Sequence, residues 1–190
     1  MNFGFAANDP AACALRLRTA AFTGHRDYRD NAPEALRRTL LALYAEGVRT
    51  FLSGMAAGFD LAAAEAVCSL RACCPGMRLV AVVPFAEQSA RFGAAARSGY
   101  DRLLAAADEI ILLSDRYAAG CYHRRNDFLI AHASRLVAWY DGRKGGTQYT
   151  FQQALRRGLQ VVNLAPGMAS QTDLFGRWVA PTPAVPGPRL

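Results

Sequence analysis

Short apolar runs recur along the chain at regular intervals, and polar or amphipathic stretches separate them. The runs are continuous rather than alternating, which is typical of strands that are buried on both faces of a parallel sheet. The pattern predicts six strands: Thr19–Thr23, Thr50–Ser53, Leu79–Val83, Ile110–Leu113, Leu136–Tyr140 and Gln160–Leu164.

The stretches between these runs have helical periodicity. Pro33 suits a first helical turn, and Gly47 and Gly158 suit helix ends. Regular alternation of strands and helices predicts a Rossmann-like α/β fold, with a doubly wound, mainly parallel sheet and helices on both faces. The predicted helices are about Pro33–Glu46, Leu61–Ala72, Gln88–Ala107, His123–Ala133 and Thr147–Arg157.

The two ends of the chain lack this alternation. Residues 1–17 show no clear period and are predicted to form a loose N-terminal arm. Four prolines fall within residues 167–190, which predicts a poorly ordered tail. A single domain is predicted over residues 18–166, a size that suits one hydrophobic core.

Composition excludes several classes of protein. No uncharged apolar run reaches the roughly 18 residues of a membrane span, and no signal peptide is visible. The five cysteines have neither a disulfide framework nor zinc spacing, which favours a reduced, cytoplasmic protein without a metal site. A net charge of +7 permits anionic partners without naming one.

Glycines and polar residues cluster where the predicted strands end. In doubly wound sheets, ligands bind outside the carboxyl ends of the strands, so these loops are expected to meet at one edge. The glycines at this edge are Gly24, Gly54, Gly58, Gly145 and Gly146, and most of the unusual polar residues of the chain also fall there.

The loop DGRKGGT contains two glycines immediately before a predicted helix. A helix N-terminus offers unpaired N–H groups and a partial positive charge, and glycine lets the backbone approach an anion closely. Gly145, Gly146 and the Thr147 hydroxyl are therefore predicted to bind phosphate. The alternative is a tight turn in which Thr147 caps the helix.

Charged residues in the other loops admit two interpretations each. Arg26 could clamp a phosphate, or it could pair with a neighbouring aspartate at the surface. Asp60 could accept a hydrogen bond from a ribose or base, or it could cap the next helix. Arg124 and Arg125 begin a helix, where cations oppose the helix dipole; they indicate either a nearby anion or a solvated turn.

Four motifs resemble the successive motifs of the YpsA-like family of the SLOG superfamily, over about Thr19–Pro166. They are TGHR, SGMAAGFDLAAAEAV, VPFAEQSARF and YHRRNDFLIAHASRLVAWYDGRKGGTQYTFQQAL. The superfamily also includes the DNA-processing protein DprA and the Lonely Guy cytokinin-activating enzymes. The resemblance implies a small phosphorylated nucleotide ligand, such as an ADP-ribose- or nicotinamide-related molecule. By motif position, the eleven ligand-binding residues that it implies are Gly24, His25, Arg26, Ser53, Gly54, Asp60, Arg125, Asn126, Gly145, Gly146 and Thr147. Glu65 and Glu87 also stand at family-typical positions.

The resemblance leaves the activity open. Lonely Guy enzymes cleave a base–ribose bond with the motif P-G-G-x-G-T-x-x-E, and Thr150 stands at the position of that glutamate. Threonine cannot replace a carboxylate in this chemistry, which favours a binding or sensing protein over an enzyme. A hydrolase that uses Asp60, Glu65 or Glu87 is the alternative. Single-strand DNA is a third, less favoured ligand, and a homo-oligomer is compatible with the sequence.

Overall fold

The computed structural model describes residues 9–166, 171–172 and 178–179 of the chain. Six strands form one sheet, and two further strands, β7 (Gln171–Thr172) and β8 (Trp178–Val179), form an antiparallel pair. The six strands of the sheet are β1 (Thr19–Gly24), β2 (Thr50–Ser53), β3 (Arg78–Val83), β4 (Glu109–Leu112), β5 (Arg135–Trp139) and β6 (Gln160–Asn163). All neighbouring strands of this sheet run parallel, in the order β4-β3-β2-β1-β5-β6.

Helices cover both faces of the sheet. The helices are α1 (Pro10–Leu17), α2 (Pro33–Ala45), α3 (Phe59–Leu70), α4 (Ala94–Ala106), α5 (Cys121–Ala131) and α6 (Gly146–Arg156). One core contains the buried side chains of α2, α3 and α4, and the other contains those of α5 and α6. The predicted Rossmann-like α/β fold is therefore confirmed.

The strand order places a topological switch point beside β1. The chain passes from β1 through β2 and β3 to the edge strand β4, and then returns to β5 on the other side of β1. The helices that follow β1 and β5 consequently lie on opposite faces, and a crevice opens where their loops separate. Gly24 is the last residue of β1, and Gly145 lies in the loop after β5.

Glycines end two helices as the sequence indicates. Gly47 follows α2 with φ of 94°, and Gly158 follows α6 with φ of 70°. Both have the left-handed backbone that glycine adopts without steric cost, and each directs the chain into the next strand. These predicted helix ends are confirmed.

Two segments differ from the predicted pattern. A 3₁₀ turn at Gln88–Arg91 precedes α4, because Gly93 has extended backbone that interrupts the predicted continuous helix. Part of the predicted loose arm is α1, which begins after Asp9, whose carboxylate accepts a hydrogen bond from the Ala11 N–H. No residue of α1 is fully buried.

The predicted tail, residues 167–190, lies outside the described residues except for β7 and β8. Among the helices that the structure describes, none has the length and apolar character needed to cross a membrane.

Candidate functional site

A cavity of about 380 Å³ lies at the switch point, and we call it the switch-point cavity. Its walls come from the end of β1 and the following loop, the loop after β2, and the first turns of α3, α5 and α6. The lining residues are Phe22, Thr23, Gly24, His25, Arg26, Ala56, Asp60, Tyr122, His123, Arg125, Asn126, Gly146 and Thr147. The volume is within the range of about 300–1,000 Å³ that is typical of small-molecule pockets.

The structure brings eight of the eleven predicted ligand-binding residues together in this lining. The other three, Ser53, Gly54 and Gly145, adjoin it without lining it. Tyr122 and His123 also line the cavity, although they were not among the predicted ligand-binding residues. Their position in the first turn of α5, three and two residues before the predicted Arg125, was the available signal.

Ser53 and Gly54 shape the cavity wall from behind. The Ser53 hydroxyl donates to the Asp60 carbonyl oxygen at 3.0 Å and accepts from the Met55 N–H at 3.1 Å. Met55 is buried with φ of 54°, a left-handed conformation that this hydrogen bonding stabilises. A Cβ at Gly54 would overlap the Arg125 guanidinium, so this position requires glycine for close packing.

Gln88 fixes the same loop and was missed in the sequence. Its Nε2 donates to the carbonyl oxygens of Gly54 at 3.1 Å and Met55 at 2.8 Å, and its side chain is buried. The neighbouring Glu87, which the family resemblance selected, is exposed and does not line the cavity. The sequence predicted a polar loop after β3, but it did not indicate which side chain of that loop is buried.

A buried ion pair forms one wall of the cavity. Arg125 and Asp60 are only 5% and 4% exposed, and Nη1 of Arg125 lies 3.5 Å from Oδ2 of Asp60. The same Nη1 donates to the Gly54 carbonyl oxygen, and Nε of Arg125 donates to Oδ1 of Asn126 at 2.8 Å. The anion that Arg125 was predicted to need is therefore a carboxylate of the protein.

Burial governs the protonation of this pair. Loss of solvation raises the pKa of Asp60 to about 6, although the nearby Arg125 charge acts in the opposite direction. Burial also lowers the pKa of Arg125, and the Asp60 carboxylate opposes that change. Asp60 is consequently a cavity carboxyl group that can exchange a proton near neutral pH.

Arg26 is a cavity-lining cation whose guanidinium is free to bind a ligand. It is exposed, it lines the cavity, and in the part of the chain that the structure describes it forms no ion pair. Its guanidinium carbon lies 5.4 Å from the centre of the Tyr122 ring. Asp27, a predicted alternative partner of Arg26, instead binds Arg143 through two hydrogen bonds of 2.9 and 3.0 Å.

Arg143 connects the loops on the two sides of the switch point. Besides Asp27, it contacts Asp141, with Nε 2.7 Å from Oδ2, and Asp141 in turn lies 2.7 Å from Nε2 of His25. The hydrogen bonds from Arg143 lower the pKa of the Asp27 carboxyl group. This network orients His25 at the cavity wall and holds the loop after β5 against the loop after β1.

The first turn of α6 leaves its N–H groups without a side-chain cap. Helix α6 begins at Gly146 rather than at Thr147, and its N-cap is Gly145, with φ of 144°. Thr147 is therefore not the N-cap. Around a Cβ placed at Gly146, the nearest atom outside the local chain is Nδ2 of Asn126, at 3.8 Å.

Two carboxylates considered for catalysis are placed away from the cavity. Glu65 is about half exposed on α3 and pairs with Arg102, and neither it nor Glu87 lines the cavity. Thr150 is fully buried, and its hydroxyl donates to the Gly146 carbonyl oxygen at 2.8 Å. Of the three predicted hydrolase carboxylates, Asp60 alone lines the cavity.

Comparison with solved structures supports the fold. DprA from Streptococcus pneumoniae superimposes with a TM-score of 0.59 at 17% identity, over 78% of this chain and 50% of that protein. DprA from Helicobacter pylori gives 0.58 at 16% identity, over 82% of this chain and 68% of that one. The chain thus spans half of the Streptococcus protein, and at these identities the likeness concerns the fold alone.

Sequence comparison gives the family. A UPF0398 protein of Halalkalibacterium halodurans is 33% identical over 127 residues, which are 65% of this chain and 67% of the relative. The uncharacterised SPbeta prophage-derived protein YoqJ of Bacillus subtilis is 30% identical over 138 residues, covering 65% and 81% of the two chains. The model of the YspA SLOG family matches residues 21–162, more than half of the chain. This chain therefore belongs to the YspA SLOG family.

Proposed function

We propose that the switch-point cavity binds a phosphorylated nucleotide and that the protein acts as a nucleotide-binding or sensing protein. The observation that carries this proposal is an uncapped helix N-terminus, that of α6, which opens into the same cavity as Arg26, a cation without an ion pair among the described residues. The N–H groups and the dipole of the helix attract an anion, and a guanidinium binds phosphate through charge-assisted hydrogen bonds.

The remaining lining supplies groups for the rest of a nucleotide. Asn126 and His25 offer hydrogen-bonding groups at the wall, and the Asp60 carboxylate offers acceptors for ribose hydroxyls or a base. Tyr122 presents an aromatic ring beside Arg26. An ADP-ribose- or nicotinamide-related molecule carries all the chemical groups that this lining would recognise, so it is our preferred ligand class.

Native mass spectrometry and thermal shift would test the proposal. We expect a nucleotide to remain bound after purification, or one of AMP, ADP, ADP-ribose and NAD to raise the melting temperature. A ligand at 100 times its dissociation constant stabilises the folded state by about 2.7 kcal/mol. If correctly folded protein neither carries a nucleotide nor responds to any member of this panel, the proposal is wrong.

Replacing Arg26 with alanine is expected to weaken nucleotide binding by about 10- to 100-fold, because a hydrogen bond to a charged group contributes about 1.5–3 kcal/mol. Titration calorimetry with the nucleotide found above would measure the change. Arg29→Ala is the matched control, since Arg29 is exposed in the same loop and does not line the cavity. Equal affinities for the two variants would remove Arg26 from the proposed phosphate site.

A second candidate function is hydrolysis of the base–ribose bond of a nucleotide. It is favoured by the position of Asp60, a cavity carboxyl group whose pKa of about 6 suits proton transfer near neutral pH. This activity would release a free base from AMP, which chromatography detects, and Asp60→Asn would prevent the release. Absence of free base after prolonged incubation with wild-type protein would leave binding as the function.

The likeness to DprA adds a further source of nucleotide ligand. The Helicobacter pylori DprA is described as binding single-stranded DNA. The cavity of the present protein could receive the terminal nucleotide of such a strand. The net charge of +7 of the whole chain is compatible with binding to a polyanion. Single strands therefore belong in the ligand tests together with free nucleotides.

A further inference from the structure

Three aromatic rings lead outward from the switch-point cavity. Tyr122 lines the cavity, and the centre of its ring lies 5.8 Å from that of Phe85, at an interplanar angle of 71°. The Phe85 ring in turn lies 5.4 Å from the Tyr117 ring, at 83°. Both contacts are edge-to-face, the arrangement that aromatic pairs prefer. We call Tyr122, Phe85 and Tyr117 the aromatic strip.

Exposure differs along the strip. Phe85 is buried and supports both tyrosines, Tyr122 is partly buried, and Tyr117 is 65% exposed. Tyr117 belongs to the short set of large apolar side chains that are exposed among the described residues. Its ring is held by Phe85 and yet leaves most of its surface in solvent, as a stacking platform for a flat ligand group would.

Cations accompany the strip. Arg26 lies over the Tyr122 ring at the inner end, and Arg116 is exposed next to Tyr117 at the outer end. Nη1 of Arg124 donates to the Ala119 carbonyl oxygen at 3.1 Å, which fixes the loop that contains Tyr117 to α5. Aromatic rings combined with arginines are the groups that bind the bases and phosphates of a flexible polynucleotide or dinucleotide.

The volume of the cavity limits what lies inside it. A pocket of about 380 Å³ is close to the lower end of the range for small-molecule sites, so it suits a ligand of mononucleotide size. Any second nucleotide unit of the ligand must then lie outside the cavity. The strip begins in the cavity lining and ends at the exposed Tyr117, and so it provides the surface for that unit.

We propose that the ligand contains two linked nucleotide units, with the first in the switch-point cavity and the base of the second stacked on Tyr117. The proposal rests on the proposed nucleotide-binding function. Its chemistry is a second base joined through phosphate to the nucleotide in the cavity. A free dinucleotide and the end of a single strand both supply this chemistry, and the test below separates them.

Titration calorimetry with three probes tests this proposal: AMP, the 5′-phosphorylated dinucleotide pApA, and a 5′-phosphorylated oligo(dA) of ten nucleotides. Stacking of one base on an aromatic side chain is expected to make pApA bind about 10-fold more tightly than AMP. Tyr117→Ala should abolish that difference without changing the affinity for AMP. Tyr117→Phe keeps the ring and should retain the difference. A higher affinity for the decanucleotide than for pApA would indicate that the natural ligand is the end of a strand. Equal affinities for these two probes would indicate a free dinucleotide, and both results agree with the proposal.

Two results would overturn it. Equal affinity of wild-type protein for AMP and pApA would show that no second base is bound. An unchanged preference for pApA in Tyr117→Ala would place the second base elsewhere. If all three probes fail to bind folded protein, and ADP, ADP-ribose and NAD also give no response, the nucleotide-binding function itself is contradicted. Binding of AMP alone would preserve that function and refute only the second unit.

Discussion

Replacing Arg125 with alanine is expected to lower the free energy of unfolding by about 3–5 kcal/mol at pH 8, because it leaves the Asp60 carboxylate buried without a counter-charge. The two side chains are almost completely buried, and Arg125 also donates to Gly54 and Asn126. The substitution removes these hydrogen bonds and opens a space behind the loop after β2. The largest effect of Arg125→Ala is therefore on stability, and any loss of ligand binding follows from it.

The cost of this substitution should depend on pH. The pKa of Asp60 is raised from 3.8 to about 6 in the folded protein. Protonation of Asp60 therefore contributes fully to the free energy of unfolding below pH 3.8, and this contribution is lost as the pH rises through about 6. The positive charge of Arg125 lowers the pKa of Asp60, so its removal should raise that pKa further. At pH 5 the variant is expected to hold Asp60 protonated and neutral, and the loss of stability relative to wild type should be smaller than at pH 8.

Urea unfolding followed by circular dichroism, at both pH values, would measure these differences. Arg124→Ala is the matched control: it removes the neighbouring, exposed arginine and should change stability by less than about 1 kcal/mol. A loss in Arg125→Ala that equals the loss in Arg124→Ala, or that is greater at pH 5 than at pH 8, would show that the ion pair with Asp60 does not govern stability.

The sheet could be predicted because burial on both faces leaves a direct mark on the sequence. Phe22 and Leu52, for example, lie in continuous apolar runs and pack in different cores on opposite faces of the sheet. The positions of the loops followed from parallel strands, whose carboxyl ends share one edge. The order of the strands in the sheet leaves no pattern in the sequence, because any of the apolar strands could pair with any other. The switch point could therefore be found only from the structure.

The sequence indicated which loops would line the cavity, whereas it did not indicate which charged side chains would form ion pairs. Eight of the thirteen residues that line the cavity belong to the predicted set. Ion pairing depends on contacts between distant parts of the chain: Asp27 pairs with Arg143 and not with the adjacent Arg26, and Asp60 pairs with Arg125. A run such as His123–Asp127 does not show which of its charges is buried.

Replacing Gly146 with valine is expected to abolish nucleotide binding while leaving the fold intact. Gly146 lines the cavity, and the Cβ of a side chain there would enter open space 3.8 Å from Nδ2 of Asn126. Valine would thus occupy the region in which the N–H groups of α6 are proposed to bind phosphate. We expect affinity to fall by at least about 100-fold, because the substitution blocks phosphate contact as well as filling the cavity.

The fold should tolerate this valine for reasons of backbone geometry. Gly146 is the first residue of α6, and the positive φ of this loop belongs to Gly145. In a helix, valine is no less favourable than glycine, so the melting temperature should stay within about 3 °C of wild type. Gly145→Val, by contrast, should lose stability through backbone strain of about 1–3 kcal/mol.

Thermal-shift titration with the nucleotide bound by wild-type protein would measure both effects of Gly146→Val. Gly99→Val is the matched control, since Gly99 lies within α4, has open space around its Cβ and does not line the cavity; its ligand response should be unchanged. Lys144→Ala removes an exposed charge before the glycines and should weaken binding only slightly. A full ligand response in Gly146→Val, with its melting temperature near that of wild type, would mean that the first turn of α6 does not contact the ligand and that the phosphate binds elsewhere.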